Sequence, residues 1–492
     1  MPPLSNATLH SLHPAVAVPH YGRTTVGTSI VHIGVGGFHR SHQAVYVDEV
    51  LARGYREWGI CGVGLLPSDH RMAQVMQEQD CLYTVVLKDI DGASDPRVVG
   101  SLVRYLFAPD DTEPVFAALA DPATRVVSMT ITEGGYLVSD VTGEFDAGHP
   151  EVVADLTSGG MPRSVFGLVA EALARRKSRG LPGFTVVSCD NMQGNGQVAR
   201  SAFTSFTRLR DPELADWMDE NVAFPSSMVD RITPVTTDDD RQELLARYDV
   251  ADAWPVVAEP YTQWVLEDRF VTGRPPLDEV GVQLVDDVEP YELMKLRLLN
   301  AGHQVMGYLG YLAGHRFVHE VCQDADFAAV LMRYMENEAT PTLPAVPGID
   351  LASYRRTLLA RFSNPAIEDS LARICTDGSD RISKFVMPVV RHQLARDGDI
   401  AVAATAVAGW ARYLEGVDES DRPIEVSDRR LEELAPLVAA QRADPEAILR
   451  ATEVFGDVPD HPRFRSSFRE ALESLRTRGA RATAEALAAR RR

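Results

Sequence analysis

The sequence predicts an α/β amino-terminal half built on a parallel sheet, followed by a mostly α-helical carboxy-terminal half. Three observations lead there. Short β-branched runs alternate with helical patterns through the first half, the first run ends in a glycine-rich turn, and β-rich runs nearly vanish after Pro290.

Taken in order, SIVHIG (29–34) reads as a strand and HQAVYVDEVLA (42–52) as the helix after it. WGICGVGLL (58–66) and HRMAQVMQEQ (70–79) repeat the pair. RVVSMTI (125–131), the amphipathic SVFGLVAEALARR (164–176) and FTVVSC (184–189) extend it. Strands alternating with helices imply a mainly parallel sheet covered on both faces. Helical periodicity then takes over, as in DADFAAVLMRYMENE (324–338) and RRLEELAPLVAAQR (429–442). An acidic turn with a proline at 286–290 marks the change, giving an expected boundary between 1–286 and 287–492 and a ligand cleft between the halves.

Composition bounds the function. With 49 Lys+Arg against 70 Asp+Glu the net charge is −21, which disfavours nucleic acid and anionic membranes. The arginine-rich stretch 476–492 reads as a solvated terminal helix. Five dispersed cysteines without a C-x-x-C pair argue against a disulfide framework or thiolate zinc site. With neither a secretory leader nor a long apolar run, a soluble cytoplasmic protein is expected.

The first strand runs into Gly34-Val35-Gly36-Gly37-Phe38-His39. Such a turn lets the backbone approach a pyrophosphate, as in a Rossmann-like dinucleotide-binding domain, although the generic fingerprint wants glycine where His39 stands. Asp69 follows the second strand and suits an adenosine ribose, while nearby Arg71 would suit the 2′-phosphate of NADP; the balance favours NAD. Asp69 could equally cap the next helix. His32, His39 and His42 lack further ligands at convincing spacing, so a packing role is expected over a metal site.

The segment from Pro290 to about Ala313 is the most informative. On a regular α-helix Glu292, Lys295, Asn300 and His303 share an arc of about 140°, with Met294, Leu298, Val305, Leu309 and Leu312 on a separate face. Alcohol oxidation needs such a set: a desolvated lysine to take the hydroxyl proton, and an amide and imidazole to hold the developing alkoxide.

Five blocks in order, GVGGFHRSH (34–42), TITEGGY (130–136), SCDN (188–191), FPSSMVDRITP (224–234) and KLRLLNAGH (295–303), resemble the mannitol dehydrogenase family of long-chain polyol-specific dehydrogenases and reductases. The resemblance runs from about Ile30 to the 373–388 region. It implies Lys295 as general base, Asn191 and Asn300 as the oxyanion-stabilising pair, and His303 as polarising group. It also implies Glu133 and Glu292 as a proton path, Ile33 to Phe38 and Asp69 on the cofactor, and Asp230, Arg373 and Arg381 on the substrate. The expected chemistry is metal-independent, reversible hydride transfer between C2 of D-mannitol and NAD, giving D-fructose. The sequence departs from the pattern at Arg381, where a lysine is usual, and at Ser68, where some relatives carry a second acid. Arginine favours carboxylates, so reduction of fructuronate or tagaturonate stays open. So do arabinitol or sorbitol oxidation, a sugar-phosphate substrate, and a non-catalytic NAD-binding regulator.

Overall fold

The computed structural model describes residues 3–139, 143–157 and 161–489, so arginines 490–492 of the basic terminus lie outside it. The chain divides into two compact units, Met1–Glu289 and Pro290–Arg492, a few residues beyond the boundary expected from sequence.

The first unit is α/β. Its strands are β1 (Thr28–Ile33), β2 (Gly59–Gly64), β3 (Tyr83–Lys88), β4 (Ser94–Val99), β5 (Leu102–Phe107) and β6 (Val126–Met129). β7 (Thr185–Ser188), β8 (Ser227–Asp230), β9 (Val256–Ala258), β10 (Gln263–Glu267) and β11 (Gln283–Val285) follow. The central sheet has the order β5-β2-β1-β6-β7, and every neighbouring pair is parallel. Alternation assigns its faces: Val31, Ile33, Cys61, Val63, Val127, Met129 and Val186 point to one core, Ile30, Ile60, Val126 and Val187 to the other. The first face is covered by Phe116, Leu173, Phe203 and Phe206, the second by Val47, Leu51, Met76 and Trp264. Both faces are dry, which is why the strands read as continuous apolar runs.

Two three-stranded sheets that the sequence did not suggest, β4-β3-β9 and β11-β10-β8, each contain one antiparallel pair. The helix expected over 42–52 forms as Gln43–Ala52 (α2), preceded by the short α1 (Gly37–Ser41) and separated from it by a break at His42.

The second unit is helical, with no named strand among its described residues. The expected helix from Pro290 is composite: α3 (Glu289–Met294), a π-helical stretch Lys295–Asn300, and α4 (Ala301–Leu312). It is buried on nearly every side rather than on one stripe, since every residue from Ala301 to Gly310 is buried. Glycines allow this: a Cβ at Gly307 would press on Ile374, and one at Gly310 would overlap Val321. Two further π-helical stretches, Tyr334–Ala339 and Ile382–Val386, pack against the first. The terminal basic stretch is helical through Ala489 with a kink at Gly479. No described helix is long and apolar enough to cross a membrane.

Candidate active site

In the first unit the carboxyl ends of β1, β2 and β6 open into a cavity of about 800 Å³ lined by Ile33, Gly34, Val35, Gly36, Asp69 and Thr130, among others. It lies where the strand order reverses, β2 to one side of β1 and β6 to the other, the usual ligand position in such sheets. Gly34 has φ of 90°, and a Cβ there would overlap the Thr130 carbonyl oxygen. Only glycine fits that position. Gly36 differs: a Cβ would meet nothing nearer than the Gly34 oxygen at 3.9 Å, so the protein itself leaves the space over it open. Gly37 and Phe38 are not among the lining residues; Gly37 opens α1 and Phe38 stacks on His42 at 4.9 Å.

Asp69 Oδ2 accepts the Leu66 N–H at 2.9 Å, holding the turn after β2; its side chain makes no capping bond to the helix His70–Glu78 that follows. Arg71 lies over the Trp254 ring, 4.6 Å from its centroid, and does not line the cavity. Beneath the glycine turn, His32 stacks on His39 with centroids 3.4 Å apart, and His32 Nδ1 bonds Ser128 Oγ at 2.8 Å. Burial pushes the His32 imidazole down to about 3, so the stack is neutral at physiological pH. Among the described residues, no group of three or more His, Cys, Asp or Glu is placed to hold a metal.

Glu133 sits on the turn Glu133–Tyr136, directly after Thr132, whose φ of 67° is strained for a β-branched residue. Asp190, which the sequence reading passed over, holds that conformation. Its carboxylate accepts the Ile131 and Thr132 N–H groups at 3.1 and 2.9 Å and the Tyr136 hydroxyl at 2.7 Å. Burial raises the Asp190 pKa, opposed by these bonds. One buried carboxylate thus holds the backbone just before Glu133, and Asn191, which is exposed, follows it directly in the chain. Asp230 is buried at the end of β8 opposite Gln263.

In the second unit Glu292, Lys295, Asn300 and His303 are all buried. The π turn changes their geometry. It inserts one extra residue, so everything after it rotates back by about 100° relative to a regular helix. The arc of about 140° then shrinks to about 80°, with Lys295 and His303 nearly in line. Asn300 Oδ1 and His303 Nε2 have no hydrogen-bond partner among the described residues despite their burial. Both atoms are therefore able to meet a ligand or an ordered water.

His303 packs on Phe362 with centroids 4.4 Å apart. Burial pushes its imidazole down to about 3; Asp369 opposes this, and Arg373, Arg381 and Arg361 add to it. It is therefore a neutral hydrogen-bonding group at physiological pH. Arg373 grips Asp369 through Nε at 2.7 Å and Nη2 at 2.6 Å, and Arg381 Nη1 donates to the Ile374 carbonyl at 3.2 Å. Asp369, just before the N-cap Ser370 of the helix Leu371–Cys375, was not singled out in the sequence.

The depressed imidazole sets a pH dependence. Between pH 6.5 and 3 the unfolded chain protonates at position 303 and the folded chain does not, so stability falls as pH falls, by about 1.4 kcal/mol per pH unit for this group. Urea unfolding at pH 7 and pH 5 should show the protein losing about 2 kcal/mol more than a His303→Asn variant. Equal losses in both would show that the imidazole titrates normally.

Comparison with known proteins agrees with this arrangement. The profile of the Mannitol dehydrogenase Rossmann domain matches residues 28–279, and that of the Mannitol dehydrogenase C-terminal domain matches 287–476. The chain is 47% identical over 473 residues to a mannitol 2-dehydrogenase of Phaeosphaeria nodorum, covering 95% of this chain and 83% of that one. Against a mannitol 2-dehydrogenase of Pyricularia oryzae it is 44% identical over 476 residues, covering 95% of each. A solved Pseudomonas fluorescens mannitol 2-dehydrogenase, in ternary complex with NAD and D-mannitol, matches with a TM-score of 0.90 and 44% identity over 98% of this chain and 99% of that one. A substrate-free D-sorbitol dehydrogenase matches with a TM-score of 0.91 and 39% identity, again over 98% and 99%. With both domain profiles matched in order and relatives this similar over nearly its whole length, the chain belongs to the mannitol dehydrogenase family.

Proposed function

We propose that this protein is an NAD-dependent polyol dehydrogenase that oxidises D-mannitol at C2 to D-fructose, reversibly and without a metal. The observation that carries this reading is the π turn, which aligns a buried lysine, amide and imidazole on one narrow face and leaves two polar atoms unmatched.

In this reading Lys295 Nζ takes the proton of the C2 hydroxyl while Asn300 and Asn191 donate to the oxygen as its charge grows. Neutral His303 holds the same oxygen in line, since an imidazole kept uncharged can hydrogen-bond without competing for the proton. Glu292, one turn before Lys295, and Glu133, next to the backbone that Asp190 holds, are suited to carry that proton on to solvent. Arg373, Arg381 and Asp230 are assigned to the remaining hydroxyls.

The cavity fits a dinucleotide: its volume, its position at the strand reversal and the open space over Gly36 all suit a pyrophosphate against backbone. When bound, the nicotinamide supplies the acceptor for the hydride leaving C2. Asp69 on the cavity wall disfavours a 2′-phosphate, and Arg71, engaged on Trp254, is not directed to welcome one. Both favour NAD over NADP.

The test is a panel of mannitol, sorbitol and arabinitol with NAD and NADP, and of fructose, fructuronate and tagaturonate with the reduced cofactors. Mannitol with NAD should give the highest kcat/KM among the polyols. Absence of polyol turnover, or a strong preference for the uronates over fructose, would overturn the assignment.

A further inference from the structure

Three arginines, Arg361, Arg373 and Arg381, lie close enough to His303 to act on its charge, and a cationic wall of that kind would ordinarily recruit a carboxylate. The structure shows why Arg373 is unsuited to do so. Its Nε and Nη2 form one of the two edges with which arginine binds carboxylates bidentately, and that edge is already filled by Asp369 at 2.7 and 2.6 Å, which also balances the guanidinium charge. The Asp369 side chain is only 6% exposed while that of Arg373 is 52% exposed, so the acid sits behind the guanidinium and the guanidinium faces outward.

The pair is locally built. Ser370 caps the short helix Leu371–Cys375 by accepting the Arg373 N–H, and Asp369 lies immediately before that cap. The Asp369 carbonyl accepts the Val318 N–H at 2.9 Å, anchoring the acid to the neighbouring helix. The Nη1–Nη2 edge stays able to donate, and with its charge already balanced by Asp369 it suits neutral hydroxyls better than a second carboxylate. Arg381 Nη1 is in turn held on the Ile374 carbonyl.

We propose that Asp369 is a specificity-determining residue: by balancing the charge of Arg373 and occupying one of its two bidentate edges, it restricts the site to uncharged polyols and ketoses and disfavours sugars bearing a carboxylate. This rests on the polyol reading above and adds to it the residue that disfavours the uronates.

The experiment compares kcat/KM for fructuronate with that for fructose, both with NADH, in the wild type, Asp369→Asn and Asp369→Ser. The backbone anchor to Val318 survives both substitutions, and the freed guanidinium is half in solvent, so both variants should fold. Each should raise the fructuronate-to-fructose ratio at least tenfold, chiefly through a lower KM for fructuronate. The double variant Asp369→Asn/Arg373→Gln should return the ratio to near the wild-type value. A ratio unchanged in both single variants overturns the proposal, and so does a gain that survives loss of Arg373. If the wild type turns over no polyol or ketose, the functional reading fails instead; if it does and the ratio does not move, only the role of Asp369 fails.

Discussion

Lys295→Ala should lower kcat for mannitol oxidation by about a thousandfold at neutral pH, within the range general-base catalysis contributes. NAD affinity should change little, because the nucleotide cavity is lined by residues of the first unit and Lys295 belongs to the second. The loss should appear equally in kcat and kcat/KM, the pattern for a group that acts only in the transition state. The pH profile is the sharper readout. With the lysine gone, hydroxide must take the alcohol proton, so the residual rate should rise in proportion to hydroxide. A variant with near wild-type turnover would remove Lys295 from the mechanism.

Asn300→Ala is expected to lower kcat by about a hundredfold to a thousandfold, the usual cost of one oxyanion-stabilising donor. Here the wild-type pH profile should persist, because the base is retained and only the stabilisation of its product is lost. That contrast separates the two residues although they stand at opposite ends of one π turn. Loss of the basic limb in Asn300→Ala would mean that the amide acts by positioning the lysine rather than by holding the alkoxide.

The residues of this site differ in how readable they were from sequence, for physical reasons. The central sheet was legible because strands buried on both faces must be apolar at every position, as in Ile30 to Ile33 and Val126 to Met129. The small sheets were not: β9 and β11 have three residues each, and β4 carries Pro96 inside it. The lysine helix was placed correctly, but a fixed 100° per residue cannot represent an inserted turn. Its polar face therefore looked wider than it is. Asp190 escaped notice because its three partners lie 54 to 59 residues away in sequence, a distance that no local pattern spans. Arg373 was named through the family resemblance, whereas its chemistry depends on Asp369, four residues earlier and outside the motifs that carried it.

The extra residue between Lys295 and Asn300 also governs how this helix can change over time. If the stretch relaxed to a regular α-helix at its present length, with better hydrogen bonds, Asn300 and His303 would swing by about 100° relative to the lysine. A single deletion inside the interval would instead remove the extra residue and give α-helix with the two groups still in phase with the lysine. At the present length of those six positions, then, selection for a regular helix and selection for turnover oppose one another. A one-residue insertion there would turn the two groups by about 100° away from the lysine, whereas a one-residue deletion would keep them aligned.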